Sequence, residues 1–90
     1  MDKKIMFKQL DQTGRDLCQQ FQLGYEAQAN NTLTDFLDLL ILFIEEKKLS
    51  EDTELNDLFT IMLSAQQRHD VLFLSDIISY VLLPKLANIP

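Results

Sequence analysis

Two side chains could form a nucleophile and its base, the single cysteine Cys18 and the single histidine His69. A thiol nucleophile needs a base within hydrogen-bond reach and a third group that orients the base. Nothing in the sequence brings Cys18 near His69, and no orienting group is evident. Cys18 also stands among apolar residues with helical spacing, where a lone cysteine usually belongs to the core. We therefore interpret Cys18 as a core residue.

His69 and Asp70 form a His-Asp dipeptide, which invites a metal-dependent phosphohydrolase hypothesis. Such a site needs further histidine and aspartate ligands, and the chain has no second histidine. Asp70 is better explained as the cap of the helix that follows it. The chain also has no phosphate-binding glycine loop, Ser-His-Asp set or Cys-x-x-Cys motif. We predict that the protein is not an enzyme and binds no cofactor or metal. The alternative is a small enzyme or ligand carrier in which Cys18, Tyr25, Tyr80 and His69 converge on one cavity.

Eight of the aspartate and glutamate residues lie in the middle of the chain, in residues 30–67. They lack the loop glycine and the ligand spacing of a calcium-binding EF-hand. Negative charge does stabilise the first turn of a helix, so several of them mark a helix start. We predict that they form an acidic tip on a hairpin of the second and third helices, where a partner binds. The alternative is a set of solvated charges that keep the protein soluble. The acidic tip comprises Glu45, Glu46, Glu51, Asp52, Glu54 and Asp57.

The net charge of −6 comes entirely from residues 30–67, which hold eight carboxylates against two lysines. The segments on either side are each neutral. Direct nucleic-acid binding is disfavoured, because it requires clustered lysine and arginine to neutralise phosphates. An acidic patch suits a basic protein partner instead.

Apolar residues recur every three or four positions and never alternate with polar ones for long, which predicts helices and no strands. We expect an all-α, four-helix antiparallel bundle with a long N-terminal helix. The helices should span about 3–28, 33–48, 51–67 and 71–83. Gly14 and Gly24 lie in the seam of the first helix, as close packing points or as a bend. The expected caps are Asn31 or Thr32 for the second helix, Ser50 for the third and Asp70 for the fourth.

The second and third helices each show one strong apolar face, and the short connection between them predicts antiparallel neighbours. The predicted core residues are Leu33, Phe36, Leu37, Leu40, Phe43 and Ile44 in the second helix and Leu55, Leu58, Phe59, Met62 and Ala65 in the third.

The last helix is the most apolar segment of the chain, and Pro84 should stop or kink it. It is too short for a membrane span and carries Asp76 in its middle. Its core face should contain Val71, Leu74, Ile77, Ile78 and Val81. Several leucines and a phenylalanine fall off the core faces of the second and last helices, and we predict that they meet another chain. They are Leu39, Leu42, Leu72, Phe73 and Leu83.

These features predict one helical domain, residues 1–90, that binds another protein without catalysis. Single-cysteine composition and an N-terminus without a signal peptide favour the cytoplasm. The size and charge are like those of small acidic helical bacterial proteins, such as toxin-neutralising immunity proteins and export chaperones. We expect an immunity, chaperone or adaptor role with a protein partner, or a homodimer.

Overall fold

A computed structural model describes the backbone of residues 3–89 and the side chains of residues 5–89. Four helices and no strand occur within this range, which confirms the all-α bundle. Helix α1 spans Lys3–Gln22, α2 spans Glu26–Lys47 and α3 spans Thr53–Gln67. Helix α4 is continuous but changes its winding, with α-helical Val71–Ile77, π-helical Ile78–Leu82 and α-helical Leu83–Ala87 segments. None of these helices is long and apolar enough to cross a membrane.

The connection between the first two helices lies at Gly24, so the predicted connection at residues 29–32 is wrong. Gly24 adopts a left-handed φ of 77°. The Gly24 N–H donates to the Phe21 carbonyl and the Tyr25 N–H to the Gln20 carbonyl, which is the Schellman pattern that ends helices. Thr32 is not a cap but lies inside α2, where its hydroxyl donates to the Gln28 carbonyl.

The same motif ends α2 and α3, but with residues that carry side chains. Lys48 and His69 both have a φ of 57°. The N–H of the residue after each one donates to a carbonyl five positions back, Leu49 to Ile44 and Asp70 to Ala65. His69 therefore occupies the left-handed position just after α3, where the chain turns towards α4.

The caps that begin α3 and α4 are aspartates. The Asp70 carboxylate accepts a hydrogen bond from the Phe73 N–H at 3.2 Å, as predicted. Asp52, not the predicted Ser50, caps α3 by accepting from the Leu55 N–H at 3.0 Å. A turn closed by the Asp52 N–H and the Leu49 carbonyl delays the helix start, so α3 begins at Thr53.

The core forms where α1 packs along α2 on one side and against α4 on the other, while α3 packs on α4. Gly14 lies where α1, α2 and α4 approach one another closely. A β-carbon there would lie 2.9 Å from Phe36 Cε1 and 3.1 Å from Leu83 Cδ1. Gly14 is thus the close packing point, and Gly24 is the bend.

Pro84 does not end α4, because the π-helical segment accommodates it. The Leu83 N–H donates to the Ile78 carbonyl five residues back. This places Pro84 in the first turn of a new α-helical segment, where its missing N–H is tolerated. A π turn takes one extra residue, so all later residues rotate by about 100° relative to a regular helix.

That rotation overturns the prediction that Leu83 lies on the surface. Leu83 is only 3% exposed and belongs to the core together with Leu82 and Leu86. Val81, predicted to be in the core, is exposed. Leu74 and Ile78, which precede the change in register, are buried as predicted.

Candidate protein-binding groove

Helices α2 and α3 follow each other in the chain, yet their backbones hardly approach each other. The two helices, predicted as antiparallel neighbours, line one groove together without close backbone contact. An open groove of about 230 Å³ separates them, with Leu74 of α4 also lining it. Gln66 is its only lining residue with a polar side chain. The groove is lined by Leu33, Leu37, Leu40, Ile41, Ile44, Phe59, Met62, Leu63, Gln66 and Leu74.

The groove exists because the apolar face of α2 is wider than α1 can cover. Leu33 and Leu40 are buried and serve both the core and the groove. Leu37 and Ile44 are only half-buried, as is Phe59 on α3. These three were predicted to lie in the core, and they instead line the groove at the edge of the core.

The rim of the groove is formed by one aliphatic residue on each helix. Ile41 on α2 is 54% exposed and Leu63 on α3 is 55% exposed. Sequence reasoning missed both as binding residues. A signal was present, since apolar residues at 33, 37, 40, 41 and 44 cover a broader arc than one helix contact needs.

The two rims differ in charge. The residues three before and four after Ile41 are Asp38 and Glu45, and helical geometry places them beside it on the outer side. The corresponding neighbours of Leu63 are Thr60 and Gln67. All four flanking residues are exposed. The groove therefore has an acidic border along α2 and an uncharged polar border along α3.

The carboxylates of the predicted acidic tip have different surroundings. Asp52 is half-buried and occupied as the α3 cap, and Glu54 forms an ion pair with Lys85 of α4. The hydrogen bond from Lys85 to Glu54 raises the pKa of the Lys85 ammonium. Asp57 lines a separate hollow with Lys85. The remaining three are exposed, and Glu45 also belongs to the groove border.

The predicted apolar contact residues are mostly accessible. Leu42 is 50% exposed and Leu72 is 62% exposed. Phe73 is also exposed, and the Cζ atom of the Arg68 guanidinium lies 5.9 Å from the centroid of the Phe73 ring. Leu39 is half-buried and packs against the core.

Cys18 is buried and hydrogen-bonded within the core. Its thiol donates to the Ser75 carbonyl at 3.4 Å and accepts from the Ser79 hydroxyl at 3.2 Å. Burial raises the pKa of the thiol above its ordinary value, and the Ser79 hydrogen bond only partly opposes this. Cys18 is thus a core residue, as predicted, and is kept as the unreactive thiol at neutral pH.

Among residues 5–89, one residue of the alternative ligand pocket, Tyr25, lines a hollow together with Asp16 and Gln19. Cys18, His69 and Tyr80 line neither that hollow nor the groove, nor the hollows beside Asp57 and Pro84. Within that same range, no three His, Cys, Asp or Glu residues are grouped so that they could hold a metal ion.

Comparisons with protein-family models, with curated proteins and with solved structures find no match to this chain.

Proposed function

We propose that the protein is a non-catalytic binding module that receives a helical segment of another protein in the groove between α2 and α3. The observation that supports this is a long apolar depression whose rims, Ile41 and Leu63, are half-exposed. Grooves of this kind bind the apolar face of an amphipathic helix through residues spaced three or four apart. An immunity, chaperone or adaptor role would use such a surface.

The expected affinity follows from the area that becomes buried. Covering the exposed halves of Ile41 and Leu63 would contribute about 0.8–1.5 kcal/mol each, half the value for complete burial. Three apolar anchors of the partner would add about 1.5–3 kcal/mol each. The total of about 6–12 kcal/mol is of the same order as the cost of association, about 4–15 kcal/mol. Apolar contact alone therefore supports only weak binding.

The test is a selection of helical peptides from a display library, followed by measurement of their affinity by fluorescence anisotropy. The variant I41Q/L63Q makes the rim polar without adding charge. Because both side chains are already half-exposed, circular dichroism should show an intact fold. We expect the selected peptides to bind this variant at least about tenfold more weakly, a loss of about 1.4 kcal/mol.

The matched control is L42Q/L72Q, which alters two aliphatic residues of similar exposure outside the groove. It should leave the affinity within about twofold, since neither side chain lines the groove. If the control variant loses binding and I41Q/L63Q does not, the apolar surface at Leu42 and Leu72 is the binding site and the groove proposal is wrong.

A further inference from the structure

We infer that the helix received by the groove carries lysine or arginine along one flank of its apolar stripe, and that this flank lies against α2. This inference rests on the proposed function and specifies its partner. It follows from the length of the groove and from the unequal charge of its two borders.

The length of the groove fixes the size of the occupant. On α2 the lining runs from Leu33 to Ile44, which is about 16 Å at 1.5 Å per residue. A helix of about three turns fills this length and can present apolar residues at positions i, i+4 and i+7. Gln66 is the only lining residue with a polar side chain, so the stripe itself should be uncharged.

The borders set the charge of the flanks. Asp38 and Glu45 are exposed on the α2 border, and neither forms an ion pair among residues 5–89. The α3 border offers only the Thr60 hydroxyl and the Gln67 amide at the equivalent positions. A cationic flank along α2 would gain two charge pairs, whereas an anionic flank would be repelled there. Along α3 neither sign is favoured.

A second copy of this chain fits the groove poorly. Each chain has a net charge of −6, and all of that excess lies in residues 30–67, which include all of α3 and all but the first four residues of α2. Pairing two such grooves would set one acidic α2 border close to another, and like charges that meet across an interface disfavour it. The apolar face of α1, the helix that carries Arg15, is already committed to the core through Leu10 and Leu17.

The probes are three synthetic 15-residue helices with leucine at positions 4, 8 and 11. One flank of each carries lysine, glutamine or glutamate, and the other flank carries glutamine throughout. Binding is measured by anisotropy at low salt and at about 1 M salt, where the Debye length falls to about 3 Å. We expect the lysine peptide to bind at least about fivefold more tightly than the glutamine peptide at low salt, with the difference lost at high salt.

The charge of the α2 border is then removed in the variant D38N/E45Q. Its matched control, E26Q/D35N, removes the same charge from exposed positions of α2 outside the groove lining. We expect D38N/E45Q to abolish the preference for the lysine peptide and E26Q/D35N to retain most of it. Equal loss in both variants would overturn the inference, because it would show a general field and not a border contact.

The remaining outcomes separate this inference from the proposed function. If all three peptides bind equally and I41Q/L63Q weakens them all, the groove binds helices but the inference is wrong. If no peptide is affected by I41Q/L63Q, the proposed function fails as well. A concentration-dependent dimer in sedimentation velocity that I41Q/L63Q abolishes would identify a second copy as the occupant and would overturn the inference.

Discussion

Gly14 illustrates how one missing side chain sets the spacing of three helices. Its absent β-carbon lets α1 approach the Phe36 ring of α2 and the Leu83 side chain of α4. Both neighbours are buried, so neither can move aside easily. Elsewhere in a helix a glycine would be a cost, because alanine is favoured by about 1 kcal/mol.

We predict that Gly14→Ala destabilises the protein by about 1–2 kcal/mol, because overpacking outweighs the gain in helix propensity. Urea unfolding followed by circular dichroism measures the change. In the Phe36→Leu background the closer contact is gone and only that with Leu83 at 3.1 Å remains, so the same substitution should destabilise the protein less. Equal destabilisation in both backgrounds would contradict the packing explanation.

Burial of Cys18 makes the stability of the folded chain depend on pH in the alkaline range. Burial raises the pKa of its thiol in the folded chain, so the folded state holds the proton more tightly than the unfolded state does. The associated stability is complete below the pKa of the unfolded thiol. It declines as the pH rises through the folded pKa, because unfolding then releases a proton.

We therefore predict that the free energy of unfolding falls more steeply above about pH 9 in the wild type than in Cys18→Ala. The comparison uses urea titrations at a series of pH values, and only the slopes matter, since the substitution also lowers stability at every pH. Lys85 adds a slope of the same sign to both proteins, because its pKa is raised by Glu54. Parallel curves for the two proteins would show that the thiol does not contribute.

At the scale of the elements, left-handed residues end three of the four helices. Only Gly24 is of the type that this conformation favours, while Lys48 and His69 carry a β-carbon at φ 57°. A residue with a β-carbon in the left-handed conformation lowers the stability of the folded chain by about 1–2 kcal/mol. Glycine avoids this strain but lowers the stability by about 0.5–1 kcal/mol, because it has greater conformational freedom in the unfolded chain.

We predict that His69→Gly stabilises the protein by about 0.5–1 kcal/mol, the difference between these two effects. Lys48→Gly should act in the same direction. Gln67→Gly is the matched control, because Gln67 is the last residue of α3, and it should destabilise by up to about 1 kcal/mol. Thermal unfolding measures all three, and a destabilised His69→Gly would show that its imidazole has a role beyond ending the helix.

The elements also show what could be predicted from the sequence. Spacing alone identified four helices and most of the core, because residues such as Leu33, Phe36 and Leu55 repeat with the helical period. It failed at Leu83, since the π-helical turn shifts the register and no spacing rule anticipates that. Spacing also placed the break between the first two helices too late. Asn30, Asn31 and Thr32 are residues that helices disfavour, yet they lie inside α2, and the left-handed Gly24 ends α1 instead.

At the scale of the whole molecule, the charge distribution was readable from the sequence but the groove was not. Leu37, Ile44 and Phe59 have the spacing of core residues, and periodicity cannot tell a filled interface from an open one. The opening depends on how far α2 and α3 separate after the short loop, which is a tertiary property. The excess of carboxylates in residues 30–67 is visible in the sequence, but their partners are not. Asp52 caps α3, and Glu54 forms an ion pair with Lys85.

The separation of α2 and α3 has a consequence for the lifetime of the protein in a cell. Helix α3 makes its close backbone contacts with α4 and few with α2, so direct backbone packing braces α2 and α3 only weakly. A helix seated between them would add to this brace, since a ligand that binds only the folded chain lowers the unfolded population by mass action. Proteases degrade the unfolded fraction, and the steady-state abundance of this protein would then rise and fall with the supply of its partner.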